Sequence, residues 1–66
     1  MWEYEIRILN SQNKCSFIVE ACHADDDQAV RAALRLANGR GVEVWRDLEC
    51  LLRKSPEVPS GAIIAA

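Results

Sequence analysis

Three cysteines, one histidine and a run of three aspartates are the residues of this 66-residue chain whose types suit chemistry. The stretch "ACHADDDQAV", residues 21–30, gathers Cys22, His23, Asp25, Asp26 and Asp27. With Cys15 and Cys50 added, the count matches a Cys3His zinc site, because thiolate and imidazole are the ligands zinc favours. A thiol beside an imidazole is also the start of a nucleophile–base pair. Spacing works against both readings. Structural zinc sites bring ligands in pairs roughly two to four residues apart, and here only Cys22 and His23 are near neighbours. Cys15 and Cys22 fall on one segment of strand pattern, which sets them ~23 Å apart at ~3.3 Å per residue and, by alternation, on opposite faces. Side chains of adjacent strand residues diverge, so Cys22 and His23 do not converge on a substrate, and the orienting groups at hand are aspartates with another task.

That task is helix entry. Asp25 and Gln28 have the spacing of a capping box, in which the first side chain accepts a backbone N–H and the residue three later reaches back. Carboxylates in a first turn also suit the positive end of the helix dipole, by roughly 0.3–1 kcal/mol each. The Gly-containing oxygen spacing of a calcium loop is absent from the sequence. No catalytic, cofactor-binding or metal-ligating residue is therefore assigned. Cys15 and Cys50 read as small buried apolar residues, and His23 as a solvated residue in a strand-to-helix connection.

The elements that hold these residues follow from periodicity. "WEYEIRIL", residues 2–9, alternates Trp2, Tyr4, Ile6 and Ile8 with Glu3, Glu5 and Arg7, the pattern of a half-buried strand. The polar "NSQNK" supplies a turn, and "CSFIVEAC" alternates again. From Asp25 to Asn38 the period changes: Ala29, Val30, Ala33, Leu34 and Ala37 recur at three and four, as in an amphipathic helix. Gly39 suits the left-handed closing position and Gly41 eases the next turn. "VEVW", residues 42–45, opens a third strand, a turn follows near Arg46 to Leu48, and residues 49–54 return as a fourth. Pro56 and Pro59 end regular structure, leaving 55–66 as a flexible C-terminal tail beyond a single domain at 1–54. The fold class is α+β: ββαββ, one helix on one face of a four-stranded, mainly antiparallel sheet. With the first strand central, the order 2-1-3-4 makes every neighbouring pair antiparallel.

Eight Lys and Arg against ten Asp and Glu give a net charge of −2, with the basic residues dispersed. Nucleic-acid affinity rests largely on neutralising phosphates, so nucleic acid is not expected as a ligand. Glu3, Glu5 and Arg7 interrupt the first apolar stretch, which fits neither a signal peptide nor a membrane span. An odd cysteine count does not suit a secreted disulfide framework, and the protein reads as cytoplasmic with reduced thiols. A domain of this size buries only about 60% of its unfolded surface, and folds with so thin a core commonly gain stability by association.

Alternation leaves Glu3, Glu5, Arg7, Ser16, Ile18, Glu20, Glu43, Trp45, Leu51 and Arg53 on the sheet face opposite the helix. Trp45, Ile18 and Leu51 stand out there as apolar, and tryptophan is a frequent interface anchor. "ADDDQAVRAALRLANGRGVEVW", Ala24–Trp45, resembles a group of very small bacterial proteins of unknown function: an alternating hairpin, a "DD" entry to an alanine-rich helix, a glycine, then a "VELW"-like strand. The resemblance spans Tyr4 to Arg53 and implies the ββαββ order. It carries over no catalytic or ligand residue, and Asp47 stands where the group has a glycine after its tryptophan. The expected function is a non-enzymatic interaction module without cofactor. It would form a homo-oligomer or bind a protein partner through the open sheet face or a sheet edge, using Trp45, Ile18 and Leu51. The alternative is a metal- or thiol-based sensor using Cys22 and His23.

Overall fold

The apolar row of the first strand lies at the centre of the molecule because the second and third strands and the helix all pack against it. A computed structural model describes residues 1–56. Its elements are β1 (Trp2–Leu9), β2 (Cys15–His23), α1 (Asp26–Ala37), β3 (Gly41–Arg46) and β4 (Glu49–Lys54). They form one antiparallel sheet in the order β2-β1-β3-β4, with the helix across one face. Both the α+β class and the strand order agree with the sequence pattern. The expected tail falls mostly outside the described residues. No helix among the described residues is long and apolar enough to cross a membrane.

Tyr4, Ile6 and Ile8 of β1 and Val42 and Val44 of β3 are buried under Ala29, Ala33 and Ala37 of α1. A stripe of alanines lets the helix lie close to the sheet while losing no side-chain entropy. Val19 and Ala21 of β2, with Leu51 and Leu52 of β4, flank this core. The helix therefore shelters the central strands best and the edges least.

One half of the capping box is in place: Asp25 caps α1, its Oδ1 accepting the Gln28 N–H at 2.9 Å. The closing left-handed residue is Asn38, at φ 49°, whose N–H reaches the Leu34 carbonyl; Gly39 follows at φ 88°. Asparagine tolerates this region because its short polar side chain bonds locally. Gly41 is a buried strand residue facing Leu9, and a Cβ there would meet Leu9 Cβ and Pro56 Cδ, each at 2.9 Å. Close backbone approach, more than turn geometry, fixes glycine at this position.

Both hairpins close as expected. Between β1 and β2, the Asn10 side chain accepts the N–H groups of Gln12 and Lys14. Between β3 and β4 the turn is Asp47–Leu48, with Asp47 at φ 55°.

Two irregularities change the faces that alternation assigns. Along β2, Ile8 faces Phe17 but Leu9 faces Cys15, so Ser16 is an inserted residue. Along β4, Val44 faces Leu52 but Trp45 faces Cys50, so Leu51 is inserted. Such bulges shift side-chain direction beyond the insertion by one step. Cys15 and Cys50 thereby join the open face and are exposed, where simple alternation buries them. Leu51 moves the other way and packs against the core instead of standing beside Trp45.

Candidate functional site at the open sheet face and the β2 edge

The open face carries a row of charged residues that satisfy one another. Arg7 on β1 bonds Glu5 and approaches Glu43 at 3.8 Å. Glu43 on β3 also holds Arg53 of β4 at 3.1 Å. Glu5 and Glu43 together hold the Arg7 guanidinium above its usual range, the Glu5 hydrogen bond being the larger cause. Because cross-strand neighbours on one face lie within side-chain reach, this network ties three strands together.

Trp45 sits inside the network. Its indole Nε1 donates to Glu43 at 3.0 Å, and the Arg7 guanidinium stacks 5.0 Å from its ring centroid. The ring is half-buried by its own neighbours. Ile18 faces Arg7 from β2, so a charged side chain on β1 separates it from Trp45. Of the three residues expected to form an apolar patch, Ile18 alone presents a large exposed surface, at 52%. A depression of about 460 Å³ on this face is lined by Glu3, Glu5, Glu20, Cys22, Trp45 and Asp47 among others.

The residues first considered for chemistry do not converge. Cys22 faces Glu3 on the open side, whereas His23 turns toward the helix side, its ring 5.9 Å from that of Tyr4. Cys15 and Cys22 do share a face, contrary to simple alternation, but stand at opposite ends of β2. No group of three metal-ligating side chains comes together among the described residues.

Asp26 has a role beyond helix entry. The Tyr4 hydroxyl donates to its Oδ1 at 2.7 Å, and Arg46 reaches the same oxygen at 2.9 Å. Arg46 also stacks 5.1 Å from the Trp2 ring. Burial, then the hydrogen bond to Asp26, raise the Tyr4 hydroxyl above its ordinary pKa of 10.0. This cluster clamps the helix N-terminus to β1 and β3. The sequence signal for it was the coincidence of a buried-face tyrosine, a first-turn aspartate and an arginine ending a strand.

The two sheet edges differ. β4 is short, bulged and carries Glu49, Arg53 and Lys54, all features that discourage strand addition. β2 runs nine residues with Glu20 as its one acidic or basic residue apart from the terminal His23, and exposes Phe17 at 39% beside Ile18 at 52%. Among the described residues it pairs with β1 alone. Comparisons with protein-family models, curated proteins and solved structures returned no match.

Proposed function

We propose that the protein is a small, non-enzymatic interaction module of the cytoplasm that associates with a second protein strand along the outer edge of β2. The observation that carries this reading is the contrast between a short, charged β4 edge and a longer β2 edge exposing Phe17 and Ile18. Unpaired backbone N–H and C=O groups along such an edge are a template for another strand. Main-chain hydrogen bonds then supply affinity, and alternate side chains supply selectivity. The open face around Trp45 is the weaker candidate, since Arg7 and Glu43 already occupy the indole. The carboxylates around the depression beside it repel phosphate, which supports a protein partner over nucleic acid.

Sedimentation velocity of the reduced chain from micromolar to millimolar concentration tests the reading through self-association. Ile18→Glu should disrupt it, because the residue is exposed and faces Arg7, so the fold tolerates a carboxylate there while the edge gains repulsion. Like charges across paired strands cost roughly 0.2–1 kcal/mol each, and the lost apolar contact adds to this. Association ten-fold weaker or more is expected, with Trp45→Ala leaving it unchanged. A chain that stays monomeric throughout, or one whose association Trp45→Ala abolishes and Ile18→Glu spares, overturns the proposal.

A further inference from the structure

Resting on that reading, we infer that the strand added to β2 is β2 of a second copy. The register sets Val19 against Val19, and Cys15 of each copy stands opposite Cys22 of the other as a thiol pair able to close into a disulfide.

The register follows from three constraints on the strand itself. Facing residues of an antiparallel pair lie on the same side of the sheet, so two identical strands meet centred on a residue. The uninterrupted part of β2 is Phe17–His23, since the Ser16 insertion ends its regular pairing with β1. Centring on Glu20 aligns all of that stretch but sets Glu20 against Glu20, and like charges directly opposite are destabilising. Centring on Ile18 pushes Glu20 and Ala21 against the insertion. Centring on Ala21 pairs Val19 to His23 but leaves the exposed apolar Phe17 and Ile18 beyond the paired stretch, whereas centring on Val19 keeps Phe17 to Ala21 in regular pairing, both residues included, with no like charges opposed. The bulkiest side chain of the strand, Phe17, then faces the small Ala21 on the helix side, and Glu20 faces Ile18 on the open side.

The thiols follow from that register without further adjustment. Beyond Phe17 the ladder with β1 skips Ser16, so that Leu9, next after Ile8, faces Cys15. Against the second copy the same skip makes Cys22, next after Ala21, face Cys15. Both thiols lie on the open face, Cys15 across from Leu9 and Cys22 across from Glu3, and both are free and exposed. The two-fold axis repeats the pair. Facing Cα atoms in antiparallel strands are about 4.5–5.5 Å apart, inside the roughly 4.4–6.8 Å that a disulfide spans. Within one chain the same two residues lie ~20 Å or more apart along β2. Closure uses a small-molecule disulfide such as glutathione disulfide as oxidant. The thiolate of one cysteine attacks it and releases one glutathione thiolate. The facing thiolate then attacks the mixed disulfide, forming the Cys15–Cys22 bond and releasing the second. Two protein protons are lost, and the oxidant takes up the two electrons.

The experiment treats an equal mixture of isotope-labelled and unlabelled full-length protein with glutathione disulfide and maps the linked peptides by mass. The expected product joins Cys15 to Cys22 between labelled and unlabelled copies, ten-fold or more over any link through Cys50, because groups held in one complex react at an effective concentration of about millimolar. Cys15→Ser or Cys22→Ser alone should abolish the covalent dimer. Mixing the two variants should restore it with one bond per pair, and Cys50→Ser should change nothing. Links dominated by Cys15–Cys15, Cys22–Cys22 or Cys50, in a reduced protein that still sediments as an Ile18→Glu-sensitive dimer, overturn the register and leave the edge reading standing. A reduced protein that is monomeric throughout, with random links on oxidation, removes both.

Discussion

Replacing Asp26 with alanine is expected to destabilise the domain by about 2–3 kcal/mol, well beyond the loss of one helix-entry charge. The carboxylate oxygen accepts from two donors, the Tyr4 hydroxyl at 2.7 Å and Arg46 at 2.9 Å. Tyr4 is only 2% exposed, so losing its acceptor leaves a largely buried hydroxyl unsatisfied, at about 1–3 kcal/mol. The ion pair with Arg46 adds less, ~1 kcal/mol at most, because the Arg46 and Asp26 side chains keep 28% and 44% of their exposure. The dipole contribution is roughly 0.3–1 kcal/mol. For so small a domain each kcal/mol moves Tm by about 4–8 °C, so a fall of roughly 10–20 °C is anticipated. Urea unfolding followed by far-ultraviolet circular dichroism, at one fixed protein concentration because association shifts apparent stability, gives the number. Tyr4→Phe should cost about 1 kcal/mol alone, and the double variant should cost clearly less than the sum of the two. If the two substitutions add to within about 0.3 kcal/mol, they are independent, and the Tyr4–Asp26 bond does not hold the helix in place.

Gly41→Ala should lose roughly 1–3 kcal/mol by overpacking against Leu9 and Pro56, whereas full stability on urea unfolding would mean these neighbours yield freely. Asp47→Gly should gain up to about 1 kcal/mol by relieving the positive φ of the β3–β4 turn; a loss would indicate that the aspartate side chain itself holds the turn. The raised Tyr4 pKa stabilises the fold fully below the unfolded value of 10.0, and this contribution is lost as pH rises through the higher folded value. Tm measured from pH 8 upward should therefore fall more steeply above about pH 10 in the wild type than in Tyr4→Phe, and parallel curves would contradict that. Deleting Ser16 should leave Cys15 facing Leu9 and equally quick to react with a thiol reagent, whereas a marked acceleration would mean Cys15 begins on the helix side.

How far the sequence discloses this molecule depends on which forces set each feature. Strands and helix were legible because burial imposes a period, and the alternation of Tyr4, Ile6 and Ile8 or the spacing of Ala29, Ala33 and Ala37 has one satisfactory geometry. The Asp25 cap was legible because its partner is three residues away. Asp26 was not, since its partners Tyr4 and Arg46 are distant in sequence and only the finished topology brings them to one oxygen. Trp45 lies on the face that alternation assigns it, but its burial depends on an Arg7 already oriented by Glu5 and Glu43. Such a network is invisible to a pattern that scores residues one at a time.

The insertions at Ser16 and Leu51 were illegible for a different reason, and their consequences for the site reach furthest. An inserted strand residue leaves the run of residue types intact while reversing the faces beyond it, so "CSFIVEAC" reads as one alternating strand whether or not Ser16 is skipped. What separates the alternatives is pairing: Leu9 has one position opposite on β2, and Cys15 fills it. The same insertion limits how an unprotected edge can pair with itself. It ends the regular stretch at Phe17, which leaves Glu20 at the middle of what remains and disfavours the longest symmetric ladder. Of the two next longest, the one centred on Val19 avoids that repulsion, keeps the exposed Phe17 and Ile18 within the ladder and puts both exposed thiols of the strand opposite each other. A bulge that confounds the reading of faces thus also selects among the pairings open to the edge, and it does so by moving one cysteine across the sheet.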